Sequence, residues 1–147
     1  MADTLTGVMT NRGREVLAKS LGNIGGFPLV RAVKFAYGEG GYQIVGGGRV
    51  PKVPDPSLTD IEADGVSLFR FEKSYVPADI TFIAPSTIEF RCKLDPSEAN
   101  DNGFGASPKF FELGLYDDDD NLLVYSTFDE QTKVATKSLS TYLQVFF

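Results

Sequence analysis

Between Thr87 and Leu94 the side chains alternate without a break, with Ile88, Phe90, Cys92 and Leu94 on one face and Glu89, Arg91 and Lys93 on the other. A period of two with one apolar and one charged face is the pattern of a half-buried antiparallel strand. The same period returns along the chain. Residues 66–76 set Phe69, Phe71 and Tyr75 against Val66, Leu68, Arg70, Glu72 and Ser74. Residues 29–37 set Leu29, Arg31, Val33, Phe35 and Tyr37 against Val30, Ala32, Lys34 and Ala36. Residues 79–84 form either a separate short strand or the first half of one long bent strand running on to Leu94. Three more strands are expected over 109–116, 122–128 and 134–147, the first two joined as a hairpin across Asp117-Asp118-Asp119-Asp120-Asn121.

One segment reads as a full helix. Thr10 or Asn11 supplies the N-cap and Glu15 sits one turn in. Val16, Leu17 and Leu21 form the apolar face, Lys19 closes the last turn, and Gly22 follows as C′ residue. Gly13 costs up to ~1 kcal/mol relative to Ala, so this short helix depends on packing against a sheet. A helical turn is expected over 58–63, closed by Asp64-Gly65. The fold class is therefore mainly β (α+β): an antiparallel sandwich or barrel-like domain with a short N-terminal helix packed on it. The 147 residues are read as one domain, with a long Gly/Pro loop over 38–57 and a polar loop over 95–108.

Composition excludes several classes of chemistry. The chain has no histidine and one cysteine, which removes Ser-His-Asp and Cys-His catalysis and His-ligated metal sites. With 14 Lys and Arg against 20 Asp and Glu, the net charge is −6 and no basic stripe exists for nucleic acid or anionic lipid. No apolar run reaches the ~18 residues of a membrane span. The first residues lack the basic and apolar regions of a secretory signal, so export by that route is not expected.

The local motifs read mostly as architecture. The acidic run from Asp117 lacks the Gly at position 6 and the Glu at position 12 of a calcium loop, where Leu122 and Phe128 stand. It is read as a solvated hairpin tip in which Asp120-Asn121 supplies a left-handed residue. The glycine clusters at 38–41 and 46–48 lack the Lys-Ser or Lys-Thr of a phosphate loop and are read as a flexible surface loop that orders against a partner. Cys92 is in phase with the core. Glu112 shares a face by alternation with Phe110, Gly114 and Tyr116, opposite Phe111, Leu113 and Leu115, and is read as a structural carboxylate. The terminal strand stays apolar through Leu143, Val145, Phe146 and Phe147, so it is expected to be paired inside the domain or buried against a neighbouring chain.

An ordered series of short motifs resembles the phage tail-collar fibre family, the N-terminal baseplate-attachment domain of tail fibres in contractile-tailed phages. The series starts with Leu5-Thr6 and Asn11-Arg12-Gly13 before the helix, then Tyr37-Gly38-Glu39-Gly40 and a Pro-Asp-Pro loop. Its most specific piece is Glu112-Leu113-Gly114-Leu115-Tyr116-Asp117, followed by Leu122-Leu123-Val124-Tyr125 after the acidic turn and a Lys-containing segment before the terminal strand. The resemblance covers most of the chain and is weakest over 65–108. Two departures stand out: Asp120-Asn121 replaces the family's Asp-Gly, and the family's fibre shaft and tip are not expected in this chain.

The resemblance implies a structural, non-catalytic virion protein without cofactor, metal or small-molecule substrate. It would be a freestanding adaptor or a baseplate-proximal fibre piece, made in the host cytoplasm. It would associate with itself as a homotrimer and with baseplate or fibre proteins. The expected contacts are Leu143, Val145, Phe146 and Phe147 of the terminal strand with Tyr42, Arg49 and Phe104 of the loops, while Glu112, Gly114, Tyr116 and Asp117 form the structural motif. A second expectation is a small carbohydrate-binding sandwich using Tyr42 and Phe104 beside Asp101 and Asn102; a carboxylate-based hydrolase is third.

Overall fold

Two sheets pack face to face in the computed structural model, which describes residues 3–26 and 29–147. The elements run β1 (Asp3–Thr6), β2 (Val8–Met9), α1 (Asn11–Leu21), β3 (Lys34–Gly38), β4 (Tyr42–Val45), β5 (Gly48–Pro51) and β6 (Arg70–Ser74). There follow β7 (Ile80–Ala84), β8 (Thr87–Leu94), β9 (Lys109–Tyr116), β10 (Leu122–Thr132) and β11 (Leu139–Phe146). One sheet has the order β1-β11-β8-β7 and the other β2-β10-β9-β3-β6, while β4 and β5 form a hairpin of their own. All pairings are antiparallel except β1 with β11. The architecture is a mainly β, sandwich-like α+β fold.

Alternation places the core as expected on both sheets. Phe90, Cys92, Leu94, Leu143 and Val145 from the first sheet meet Phe35, Tyr37, Leu113 and Leu115 from the second. Phe69, Phe71 and Tyr75 join this cluster, in the phase their spacing predicts. A smaller cluster of Ala36, Ile61, Ala63, Tyr116, Leu122 and Tyr125 lies on the other face of the second sheet, with Leu58 and Leu68 packed on it. Phe110 departs from its phase. It packs with Leu113 and Leu115 in the inter-sheet core, whereas Phe111 stacks on Tyr42 at 5.0 Å. The break coincides with a register shift between Thr127 and Gln131, where the β9–β10 ladder becomes irregular.

Several boundaries are corrected. Strand structure begins at Lys34, not Leu29, and at Arg70, not Val66. Residues 58–63 are not helical, and their amides are turned to a side chain, as described below. Of residues 79–84, Ile80–Ala84 form a separate strand that turns tightly through Pro85-Ser86 into β8. The glycine-rich loop contains the β4–β5 hairpin, whose two-residue turn is Gly46-Gly47 at φ 60° and 82°. Positive φ at both central residues is the type I′ pattern, whose twist matches that of the paired strands. Strands β1 and β2 were not expected at all. They cover β11 and β10 respectively.

The terminal strand runs in the interior of its sheet, between β1 and β8. Leu143 and Val145 are buried in the domain's own core and offer no surface to another chain, which corrects their expected interface role. Phe146 and Phe147 are exposed.

Helix α1 starts where expected: the Thr10 hydroxyl accepts from the Gly13 amide at 2.8 Å. At its end Gly22 stays right-handed and Asn23 takes the left-handed turn, at φ 49°. Val16 is buried, but Leu21 is 92% exposed and is not part of the packed face. Gly13 has a reason to be there. A Cβ at this position would lie 2.3 Å from the Leu123 carbonyl oxygen, so the helix lies against β10 only with glycine at the contact. Gly13→Ala therefore lowers stability by about 1–2 kcal/mol in urea unfolding, although alanine is the better helix former. A higher midpoint in the variant would contradict this packing.

Candidate functional site

The carboxylate of Glu112 is fully buried and lies among four donors. Oε1 accepts from the Glu62 amide at 2.7 Å and the Tyr125 hydroxyl at 2.8 Å. Oε2 accepts from the Ala63 amide at 2.8 Å and the Gly40 amide at 3.0 Å. No ion pair reaches it among the described residues. Burial pushes its carboxyl above the usual range, and the four donors pull against that push. Close approach of the 38–40 turn requires glycine: a Cβ at Gly38 or Gly40 would come within 2.4 or 2.6 Å of Oε2.

The rest of the motif is equally committed. A Cβ on Gly114 would meet Leu122 and Ile61 side chains at 2.7 and 2.8 Å. Tyr116 donates its hydroxyl to Asp60 and accepts from the Ile61 amide at 3.2 Å. Asp117 accepts from the Asp119 and Asn121 amides at 3.0 and 2.8 Å and from Asn121 Nδ2 at 2.9 Å, while Asp120 takes the left-handed position at φ 61°. Asp64, solvent-exposed, accepts from the Val66, Ser67 and Leu68 amides, and these bonds pull its carboxyl down to about 2. The Glu112 and Tyr116 bonds fasten residues 60–63 to β9, while Asp64 and Asp117 each shape the turn they stand in. The arrangement works as a lock between loops and sheet.

Cys92 lies in the core beside the Tyr75 hydroxyl at 3.2 Å, and burial pushes its thiol up to about 12. At neutral pH it is not a thiolate. Lys133, which no periodicity singled out, is buried and donates to Asn100 Oδ1 at 2.7 Å, Val134 O at 3.0 Å and Pro96 O at 3.3 Å. It anchors the 95–108 loop.

The loop residues proposed for contact fall in two places. Tyr42 and Arg49 stand together at the base of the hairpin, with the guanidinium 5.0 Å over the ring. With Glu39, Asn102 and Lys109 they line a polar cavity of about 290 Å³. Tyr42 thus has the Arg49 guanidinium over its ring and Phe111 tilted against it, both competing with a sugar for that ring. Asp101 Oδ1 accepts from the Gly103 amide and Asn102 Oδ1 from the Phe104 amide, both at 2.8 Å. Phe104 is exposed on the same loop and does not line the cavity. Beyond Tyr42 the hairpin carries Ile44, Val45 and Val50, all exposed, with Ile44 at 62%. This is an apolar arm.

The second surface is the open edge of the sandwich beside β7. Ile80 and Phe82 pair with Phe90 and Ile88, two residues that face the core side, yet Phe82 is 70% exposed. Phe147 continues the inward phase of Leu143 and Val145 and is 67% exposed. Beside them an apolar cavity of about 280 Å³ opens between the sheets, lined by Met9, Leu17, Ile80, Phe90, Val145 and Phe147, with Arg31 among its walls. A groove along α1, bounded by Arg14, Leu17, Leu21 and Phe147, adjoins it. We refer to the whole as the mouth.

No family model matches the chain, and neither a curated protein nor a solved structure matches it.

Glu112→Ala leaves three amides and a hydroxyl without an acceptor and costs about 3 kcal/mol or more in urea unfolding. The raised folded value also carries a pH signature. Its stabilising contribution is present below the unfolded value, near 4.5, and is lost as pH rises through the folded value. The margin of the wild type over Glu112→Gln therefore narrows as pH rises from 4.5. A margin that widens would reverse the assignment.

Proposed function

We propose that this chain is a structural, non-catalytic protein of a phage tail that mounts or connects tail fibres at the baseplate. The observation that carries the reading is the pair of exposed apolar surfaces, the β4–β5 arm and the mouth beside β7, on a small acidic domain. Large apolar side chains concentrated at open surfaces mark sites where another protein docks. The motif most like the tail-collar family, Glu112 to Asp117, is buried from end to end and holds loops in place, a role suited to a mounting block. Its partners in this reading are baseplate and fibre proteins and other copies of itself in a homotrimer, within the virion.

Of the expected contact residues, Phe147 belongs to the mouth, and Tyr42 and Arg49 to the base of the arm. The contacts of Arg49 and Phe111 with Tyr42, and the position of Asp101 and Phe104 outside the lining, weigh against sugar binding at that cavity. Immunogold labelling of purified tail particles with an antibody to this chain tests the reading. Label at the baseplate end is the expected result. Particles that lack the chain altogether would refute it.

A further inference from the structure

The arm is convex and the mouth is concave, and both are apolar surfaces of the same chain. They share no residue. We infer that each is the other's occupant: the β4–β5 arm of one copy enters the mouth of the next, giving a head-to-tail contact. This rests on reading both as docking surfaces for copies of this chain and adds which patch of one copy meets which patch of the next.

Three observations favour a second copy seated by its arm. First, residues 42–51 carry one charge, Arg49, and it is drawn back over Tyr42 at the base. The tip can therefore enter an apolar space without desolvating an ion. Second, Phe82 and Phe147 are in the inward phase of their sheet yet stay exposed, so the inter-sheet layer is short of apolar side chains at this edge. The cavity there, about 280 Å³, is about twice a ~150 Å³ void that holds one benzene ring, enough for a few aliphatic groups such as Ile44 and Val45. Third, Arg14 and Arg31 make no ion pair among the described residues, whereas the Gly46-Gly47 turn has no side chains to shield its carbonyls from such donors.

A contact between two different patches of one chain is heterologous. It closes into a ring where the rotation allows and otherwise extends as a filament. Such a contact has a signature that a two-fold interface lacks. Ile44→Asp disables the arm and leaves the mouth; Phe82→Asp disables the mouth and leaves the arm. Both side chains are exposed, and circular dichroism melting checks that each variant folds. Leu21→Asp, also in the mouth, serves if Phe82→Asp melts early.

Light scattering behind a sizing column reads the result. The wild type is expected to run as an oligomer and each variant as a monomer, and an equal mixture of the two variants as a dimer that grows no further. A wild type that stays monomeric overturns the inference, as does a mixture that stays monomeric. Oligomers lost in the mouth variant but kept in the arm variant also overturn it, and point to edge-to-edge pairing through β7. If the wild type is monomeric while both variants fail to enter tail particles, docking to other proteins stands and self-docking falls.

Discussion

Glu112 collects donors from three stretches of chain that lie far apart in sequence. The Gly40 amide is 72 residues away, and those of Glu62 and Ala63 are 50 and 49 away. A buried carboxylate without a cation is costly unless hydrogen bonds replace its water, and here four donors do so. The same four bonds decide the course of the backbone. They turn 38–41 sharply off the end of β3, and they press 58–63 onto the second sheet. There Ile61 and Ala63 pack against Ala36, Tyr116, Leu122 and Tyr125. A loop that length would otherwise have little reason to settle.

What the domain presents to its surroundings follows from that anchoring. Gly40 stands two residues before the start of β4, so the arm springs from close to a point fixed by Glu112. The Lys52 amide bonds back to Gly41 at 2.9 Å at the other foot of the hairpin, and the Thr127 hydroxyl donates to the Lys52 carbonyl. Beyond this clamp the strands carry apolar side chains with no second layer over them. The mouth is the complementary case. Its sheet ends at β7, and β7 itself, Ile80-Thr81-Phe82-Ile83-Ala84, has none of the charges or prolines that usually guard an edge. By contrast, the edge strand β6 of the other sheet carries Arg70, Glu72 and Lys73. An unguarded edge with apolar side chains beside a cavity is consistent with an assembly role.

Much of the sandwich was legible because a period of two, with charged and aromatic faces, leaves little choice. In β8 and β6 the inward residues were named correctly from spacing alone. The terminal strand was also legible as a strand, but its neighbours were not. Alternation tells which face is apolar and not what covers it, so it leaves Leu143 and Val145 open to either a core or a neighbouring chain, and their cover is the domain's own second sheet. Strands β1 and β2 are too short, at four and two residues, to show a period. The β4–β5 hairpin did carry a signal, Gly-Gly between Ile44-Val45 and Arg49-Val50, which the surrounding glycines and prolines obscured. The environment of Glu112 could be read only as far as a structural role. Its donors come from loops whose approach depends on the tertiary fold, and 58–63, read as a helical turn, gives its amides to that carboxylate instead of to itself.

The central claim is that Glu112 ties the 38–41 and 58–63 segments into the same cooperative unit as the β-sandwich. Native-state hydrogen exchange resolved at single amides tests it most directly. The account predicts that the Gly40, Glu62 and Ala63 amides exchange only when the whole domain unfolds, at the rate-limiting free energy of a core amide such as Leu113. Exchange of these three amides by local opening, with Leu113 still protected, would contradict it.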